Sequence, residues 1–233
     1  MNIFITGASR GLGLSLVEHG LAKGHRIAAA VRDPDSLSVR FQELERSYPD
    51  KLLIVRMEVK DEDSVRAASE QVRKQWGTVD ALVNNAAVLL GREQLLENLS
   101  LADMEETFQI NLYGPVRVCK HFLPLISASG DKVIVNISSE AGSFANAYGG
   151  DYSYALSKGA LNLFSEHLRR YTTGRGIRVY AVHPGWIRTD MGGAAAPGDP
   201  AESAKGILAL IEGEVMAGNV GVFIDHRGEP MAF

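Results

Sequence analysis

Cysteine is nearly absent: Cys119 is the only one in 233 residues, so no disulfide can form within the chain. Its setting in an apolar helical stretch predicts a buried thiol rather than a nucleophile. No apolar run approaches the ~18 residues that cross a bilayer, and no charged leader with an apolar core and cleavage site precedes the first strand-like segment. A soluble, unexported, cytoplasmic protein is the expectation. A surplus of one charge is lacking as well, because 24 basic and 28 acidic residues are interspersed and give a net charge of −4. Such a balance offers no basic footprint for nucleic acid or for an anionic membrane, and neither partner is expected. No His, Cys or carboxylate cluster has metal-ligand spacing, and His183, standing before a proline, reads as structural, so no metal is expected. Internal repeats, low-complexity stretches and breaks in composition are absent, which leaves one domain over residues 1–233.

Glycine, by contrast, is plentiful and is placed with a pattern. Asn2 to Thr6 read as an apolar strand, and Leu12 to Ala22 carry apolar residues at helical spacing up to Gly24, a C-terminal stop. Gly7, Gly11 and Gly13 therefore fall in a strand-to-helix turn. There they allow a tight reversal, let a diphosphate approach the backbone, and leave the N–H groups of the helix N-terminus free to bind it. The spacing differs from the common G-x-G-x-x-G dinucleotide fingerprint. The next strand ends in Val31-Arg32-Asp33. An NAD-selective chain places an acid at the end of this strand for the ribose hydroxyls, whereas here Val31 holds that position and Arg32 follows it. Arg10, inside the glycine turn, would approach the same 2′-phosphate, and two guanidinium forks suit a dianion. The expected cofactor is NADP(H), held by Gly7, Ser9, Arg10, Gly11, Leu12, Gly13 and Arg32.

A second pattern lies in Tyr154-Ala155-Leu156-Ser157-Lys158. Positions four apart share one helix face, so the ammonium can sit beside the phenol. A phenol titrates near ~10 in water, and acid/base work near neutrality needs its anion stabilised by adjacent positive charge. Lowering that pKa by ~3 corresponds to about 4 kcal/mol of preferential phenolate stabilisation.

Apolar runs recur at Ile3–Ile5, Ile27–Val31, Leu52–Met57, Ala81–Val83, Val133–Ile137, Val179–Val182 and Val220–Ile224, mostly without alternation, as strands covered on both faces require. Helical patterns lie between them near 35–48, 61–76, 101–126, 152–172 and 200–213, with Asp61, Ser100 and Asp199 as N-caps. The pattern is α/β and doubly wound. Right-handed crossovers then predict a seven-stranded parallel sheet of order 3-2-1-4-5-6-7, with ligands at the carboxyl ends of the strands, where Gly7, Arg32, Asn84, Ser138, Ser139 and Pro184 fall.

Taken in order, the glycine turn Thr6 to Gly13, Asn84-Asn85-Ala86-Ala87, Asn111, Asn136-Ile137-Ser138-Ser139, Tyr154 to Lys158 and Pro184 to Thr189 resemble the short-chain dehydrogenase/reductase family over essentially the whole chain. His183-Pro184-Gly185-Trp186, Thr189 to Gly193 and Phe223 to Gly228 resemble its sniffer-like or C-factor-like carbonyl reductase branch. The resemblance implies a Rossmann-type oxidoreductase that moves a hydride between NADPH and a small-molecule carbonyl or secondary alcohol. It also implies a catalytic set of Asn111, Ser139, Tyr154 and Lys158. In that set Tyr154 gives the proton, Lys158 tunes it and binds the nicotinamide ribose, Ser139 holds the substrate oxygen, and Asn111 sits at a proton-relay water. Glu58 and Val59 would meet the adenine, Asn85, Ala86 and Ala87 would line the cofactor floor, and Pro184, Gly185, Ile187 and Thr189 would surround the nicotinamide.

Three features depart from the family pattern: Ala87 replaces a glycine, Glu58 replaces an aspartate, and the gap between Ser139 and Tyr154 is two residues longer, which leaves Ser138 as second choice for the serine. The Gly-, Ala- and Pro-rich stretch 190–200 reads as a substrate lid. Leu90, Phe144, Tyr148, Trp186 and Met191 are candidates for an apolar pocket. A homodimer or homotetramer, paired through the helices of Asn111 and Tyr154, and a monomer are all compatible with the resemblance. The alternative function is an NADP-binding regulatory or signalling protein with little turnover.

Overall fold

The computed structural model describes residues 1–126, 130–215 and 221–233. Seven parallel strands form one sheet: β1 (Asn2–Thr6), β2 (Arg26–Val31), β3 (Leu52–Arg56), β4 (Ala81–Asn84), β5 (Val133–Ile137), β6 (Arg178–His183) and β7 (Phe223–Asp225). Their order is β3-β2-β1-β4-β5-β6-β7, as the crossover rule predicts. The helices are α1 (Gly11–Ala22), α2 (Val39–Ser47), α3 (Glu62–Trp76), α4 (Leu101–Asn111), α5 (Tyr113–Phe122), α6 (Tyr152–Thr172) and α7 (Pro200–Glu212). Every residue of β5 is buried, because helices cover both faces of the sheet. One apolar layer joins Leu16 of α1, Phe41 of α2 and Leu208 of α7, and the other joins Val72 of α3, Phe122 of α5 and Leu168 of α6. Phe122 packs on Phe4 with ring centroids 4.0 Å apart, and truncating so buried an aromatic to alanine costs about 3–5 kcal/mol.

The three expected N-caps are in place: Asp61 accepts from Asp63 N at 3.0 Å, Ser100 from Asp103 N at 3.2 Å and Asp199 from Ala201 N at 2.9 Å. Three elements differ from expectation by more than a residue at a boundary. The helix expected near 35–48 starts at Val39, because Ser38 caps it at 3.2 Å from Phe41 N, while Asp33 draws Pro34–Ser36 into a separate 3₁₀ turn. The long helix expected near 101–126 breaks after Asn111. Pro115 has no N–H for the Asn111 carbonyl and its ring would crowd that oxygen, so the path bends at Leu112, whose φ is −116°, and α5 starts at Tyr113. The last strand runs Phe223–Asp225 rather than 220–224, and Val220 lies outside the described residues.

The reversal of strand order between β1 and β4 opens a crevice at the carboxyl edge of the sheet, the usual ligand position in doubly wound folds. Among the described residues no helix is long and apolar enough to cross a membrane.

Candidate active site

A cleft of about 620 Å³ occupies that crevice, and its walls include the glycine turn, the ends of β2 to β6, and Tyr154 and Lys158 of α6. The turn follows β1 directly. Gly7 and Gly11 take left-handed φ values of +62° and +54°, and a Cβ on Gly13 would fall 2.2 Å from the Gly7 carbonyl oxygen, so the chain doubles back at a closeness only glycine allows. No side chain caps α1, which starts after Arg10. Its first N–H groups face a glycine-lined hollow, a combination that fits a diphosphate.

Asn85 braces this turn from the end of β4. Its Nδ2 donates to Thr6 O at 2.9 Å and to Gly7 O at 3.1 Å, while Thr6 Oγ1 accepts the N–H groups of Asn85 and Ala86 at 2.9 and 3.0 Å. Asn85 lines the cleft as expected, but its amide donors are spent on the turn. Asn84 does not line the cleft. Its side chain is buried, donating to Asn136 Oδ1 at 2.7 Å, and Asn136 passes the chain on to Ser165 of α6 at 2.8 Å. Cys119 is buried near it, and burial pushes its thiol up to about 12, as expected for an inert residue.

At the end expected to take an adenosine, Arg32, Glu58 and Val59 line the cleft. Asp33 does not: its carboxylate accepts from Asp35 N at 3.1 Å and Ser36 Oγ at 2.7 Å, which also holds its pKa below the usual range. Arg10 also lines the cleft, with Nη1 paired to Asp190 Oδ2 at 3.0 Å.

At the other end, Ser139 leaves β5 in extended conformation and its Oγ accepts Ala141 N at 3.2 Å, starting the 3₁₀ turn Glu140–Gly142. Ser138 is almost wholly buried and gives its hydroxyl to Asn162 Oδ1 at 2.5 Å. Of the two serines, Ser139 is the one whose hydroxyl stands beside Tyr154 and acts to lower its pKa. Burial nevertheless outweighs that effect and the pull of the Arg92 charge, so the Tyr154 phenol of the protein alone is held above 10.0 rather than below it. Lys158 is 2% exposed; its Nζ donates to Ile137 O at 2.7 Å and lies 5.5 Å from the centre of the Tyr154 ring. Burial pushes its pKa down to about 7. An ammonium so poised exchanges its proton near neutrality.

Asn111 is fully buried and, alone of the residues expected to act in catalysis or to hold the cofactor, does not line the cleft. Its Oδ1 accepts Val88 N at 2.9 Å, and its Nδ2 donates to Val88 O at 2.9 Å and Ser157 Oγ at 3.1 Å. The helix break after Asn111 thus fastens the loop beyond β4 to α6 one residue before Lys158.

Pro184, Gly185, Ile187 and Thr189, expected around a nicotinamide, line the cleft, with Gly185 at φ +86°. Thr189 Oγ1 accepts Gly192 N at 3.1 Å, and Trp186 Nε1 donates to Gly192 O at 2.9 Å, so the start of the 190–200 stretch folds back on the wall. His183 accepts Glu140 N at 3.2 Å, as a structural residue would. Tyr148, Trp186 and Met191 line the substrate end, but Leu90 and Phe144 do not, and Phe144 is 90% exposed. Sequence reasoning missed Arg92 and Asp151, both in the lining. Asp151 had a signal, since it immediately precedes α6, yet it does not cap the helix: φ is +45° and its carboxylate accepts Tyr148 Oη–H at 2.9 Å.

The short chain dehydrogenase family model matches residues 1–199. The C-signal protein of Myxococcus xanthus is 37% identical over 153 residues, 65% of this chain and 91% of that protein. A solved NADPH-bound carbonyl reductase from chicken fatty liver is 32% identical, with TM-score 0.86 over 100% of this chain and 98% of that one. The carbonyl reductase Sniffer of D. melanogaster is 27% identical, with TM-score 0.90 over 100% and 99% of the two chains.

Proposed function

The chain belongs to the short-chain dehydrogenase/reductase family, in its carbonyl reductase branch, and from that premise we propose that it is an NADPH-dependent reductase of aldehydes and ketones acting within a single domain. The observation that carries this reading is one continuous cleft that runs from an uncapped, glycine-walled helix N-terminus to Ser139, Tyr154 and Lys158.

NADPH, when bound, supplies the hydride that converts a carbonyl carbon into an alcohol carbon. The α1 N-terminus and the glycine turn would hold its diphosphate, Arg10 and Arg32 would take the 2′-phosphate, and Ile187 and Thr189 would hold the carboxamide. Ser139 Oγ–H donates to the carbonyl oxygen and fixes it beside Tyr154. As negative charge grows on that oxygen, the Tyr154 Oη–H bond breaks and the alcohol O–H bond forms. Lys158 offsets the phenolate left behind and returns a proton to it, a role suited to a group titrating near neutrality. Asn111 holds the adjoining loop and α6 in register, and the stretch 190–200 closes over the substrate as a lid.

Fluorescence titration of NADPH against NADH, on the protein and on an Arg10→Ala, Arg32→Ala double variant, tests the cofactor, and a carbonyl panel with Tyr154→Phe tests the chemistry. NADPH is expected to win and the double variant to lose that preference. Tyr154→Phe is expected to lose about 10²- to 10⁴-fold in turnover with cofactor binding kept. The likeness to C-signal favours a regulatory reading as the rival. Tight NADPH binding without turnover of any carbonyl would select it, and failure to bind either cofactor would end both readings.

A further inference from the structure

Arg92 stands in the loop between β4 and α4, at the substrate end of the cleft, on a wall it shares with Val88 and Leu89. A guanidinium carries five N–H donors in a planar fork. Only Nη2 has a partner among the described residues, the Met191 carbonyl oxygen at 3.1 Å, and no described carboxylate lies within 4.0 Å of it. Of the two carboxylates that line the same end, Asp151 accepts the Tyr148 hydroxyl, and Glu140 stands on the His183 side with Oε1 4.0 Å from Nε2. Arg92 thus presents unpaired donors to the space a substrate fills. Its charge is felt at Tyr154 and at Tyr148, favouring the anion of each, which places it within electrostatic reach of the reacting centre.

Resting on the reductase reading above, we infer that Arg92 selects substrates that carry a carboxylate as well as the carbonyl, gripping the carboxylate while the carbonyl oxygen lies at Ser139 and Tyr154. The fork geometry of guanidinium matches the two oxygens of a carboxylate, a match that lysine or a neutral side chain does not reproduce. Val88, Leu89, Trp186 and Met191 supply an apolar wall for the carbon skeleton between the two ends. The substrate class is thus an oxo acid or an aldehyde acid rather than a wholly apolar ketone. Because Met191 O orients the guanidinium, the same contact ties the 190–200 stretch to the arriving anion.

The test compares 4-carboxybenzaldehyde with its methyl ester, two aldehydes of similar shape that differ in charge, by kcat/KM on the NADPH-loaded protein, on Arg92→Gln and on Arg92→Lys. The acid is expected to be preferred by about tenfold to a hundredfold, the range of one charge-assisted hydrogen-bonded pair. Arg92→Gln should bring the acid-to-ester ratio toward one, with Arg92→Lys in between. Both aldehydes feel any disturbance of the loop or lid alike, so the ratio isolates charge recognition. A ratio that Arg92→Gln leaves unchanged overturns the inference even though reduction itself proceeds. If neither aldehyde is reduced, the carbonyl panel decides the reductase reading, and calorimetry decides the anion site separately. Benzoate binding better than benzamide to the NADPH complex, with the difference lost in Arg92→Gln, supports the site, and equal binding of the two overturns it.

Discussion

Arg10 Nη1 and Asp190 Oδ2 lie 3.0 Å apart, joining the glycine turn to the segment that follows Thr189. The side chains are 70% and 76% exposed, and pairs of that kind contribute about 0–1 kcal/mol. Arg10 is therefore not idle before cofactor arrives: a 2′-phosphate has to draw it from Asp190. Asp190→Asn removes the competitor. NADPH is expected to bind up to about fivefold more tightly to this variant, the equivalent of that pair energy, with the NADPH-to-NADH ratio rising and the effect fading as salt is added. Titration at two ionic strengths measures it, and an unchanged or lower ratio would mean that Asp190 does not compete with the phosphate for Arg10.

The strand order, the glycine turn and the Tyr154–Lys158 pair were legible because each depends on local spacing: buried apolar runs, glycines at a strand-to-helix junction, and residues four apart on one helix face. Asn85 was legible only in part. Sequence places it in the cofactor floor, but its donors turn inward because the carbonyls of Thr6 and Gly7 need partners where β1 and β4 end side by side. Pro115 carried the signal for the broken helix and was outweighed by the apolar periodicity around it. Arg92 gave no pattern of its own, and the position of Asp151 just before α6 signalled a helix cap rather than a place in the cleft. They reach the cleft only through the paths of two loops, and loop paths follow from long-range contacts such as Asn111 with Val88, and Ser143 and Ala145 with the carbonyls of Ala232 and Phe233 at 2.8 and 3.0 Å.

Lys158 costs stability for the sake of its position. Its pKa falls from 10.5 to about 7 through burial, so between those values the unfolded chain holds a proton that the folded one has released. Stability therefore rises with pH over that window, and below it the fold carries the whole cost, about 5 kcal/mol at ~1.4 kcal/mol per pKa unit. Lys158→Met removes the cost but leaves the Ile137 carbonyl without its donor, a loss of about 1–3 kcal/mol. The expected net effect in urea unfolding is a gain of about 2–3 kcal/mol at pH 7, smaller by about 2 kcal/mol at pH 9, with reductase activity lost. A gain that does not shrink with pH would show that the ammonium is not held at a depressed pKa.

Gly142 ends the 3₁₀ turn that Ser139 starts, and it rests on α6 beside Lys158. A Cβ there would fall 2.6 Å from the Lys158 carbonyl carbon and 2.6 Å from the Gly159 nitrogen. These are backbone atoms of a packed helix and cannot yield as a side-chain tip would, so in Gly142→Ala the turn must lift and take Ser139 with it. Overpacking of this kind costs about 1–3 kcal/mol, and a displacement of about 1 Å at a positioning group lowers turnover by about 10²-fold. The glycine turn is untouched, so NADPH affinity should stay near that of the parent. Gly149, in the same extended loop, has open space around its Cβ position and no left-handed φ, which makes Gly149→Ala the control for a general loop effect. Loss of turnover in Gly142→Ala alone, with cofactor binding retained, ties catalysis to the seating of the Ser139 turn on α6. Equal losses in both variants, or none in either, would remove the turn from the mechanism and return the choice between Ser138 and Ser139 to a direct substitution of each.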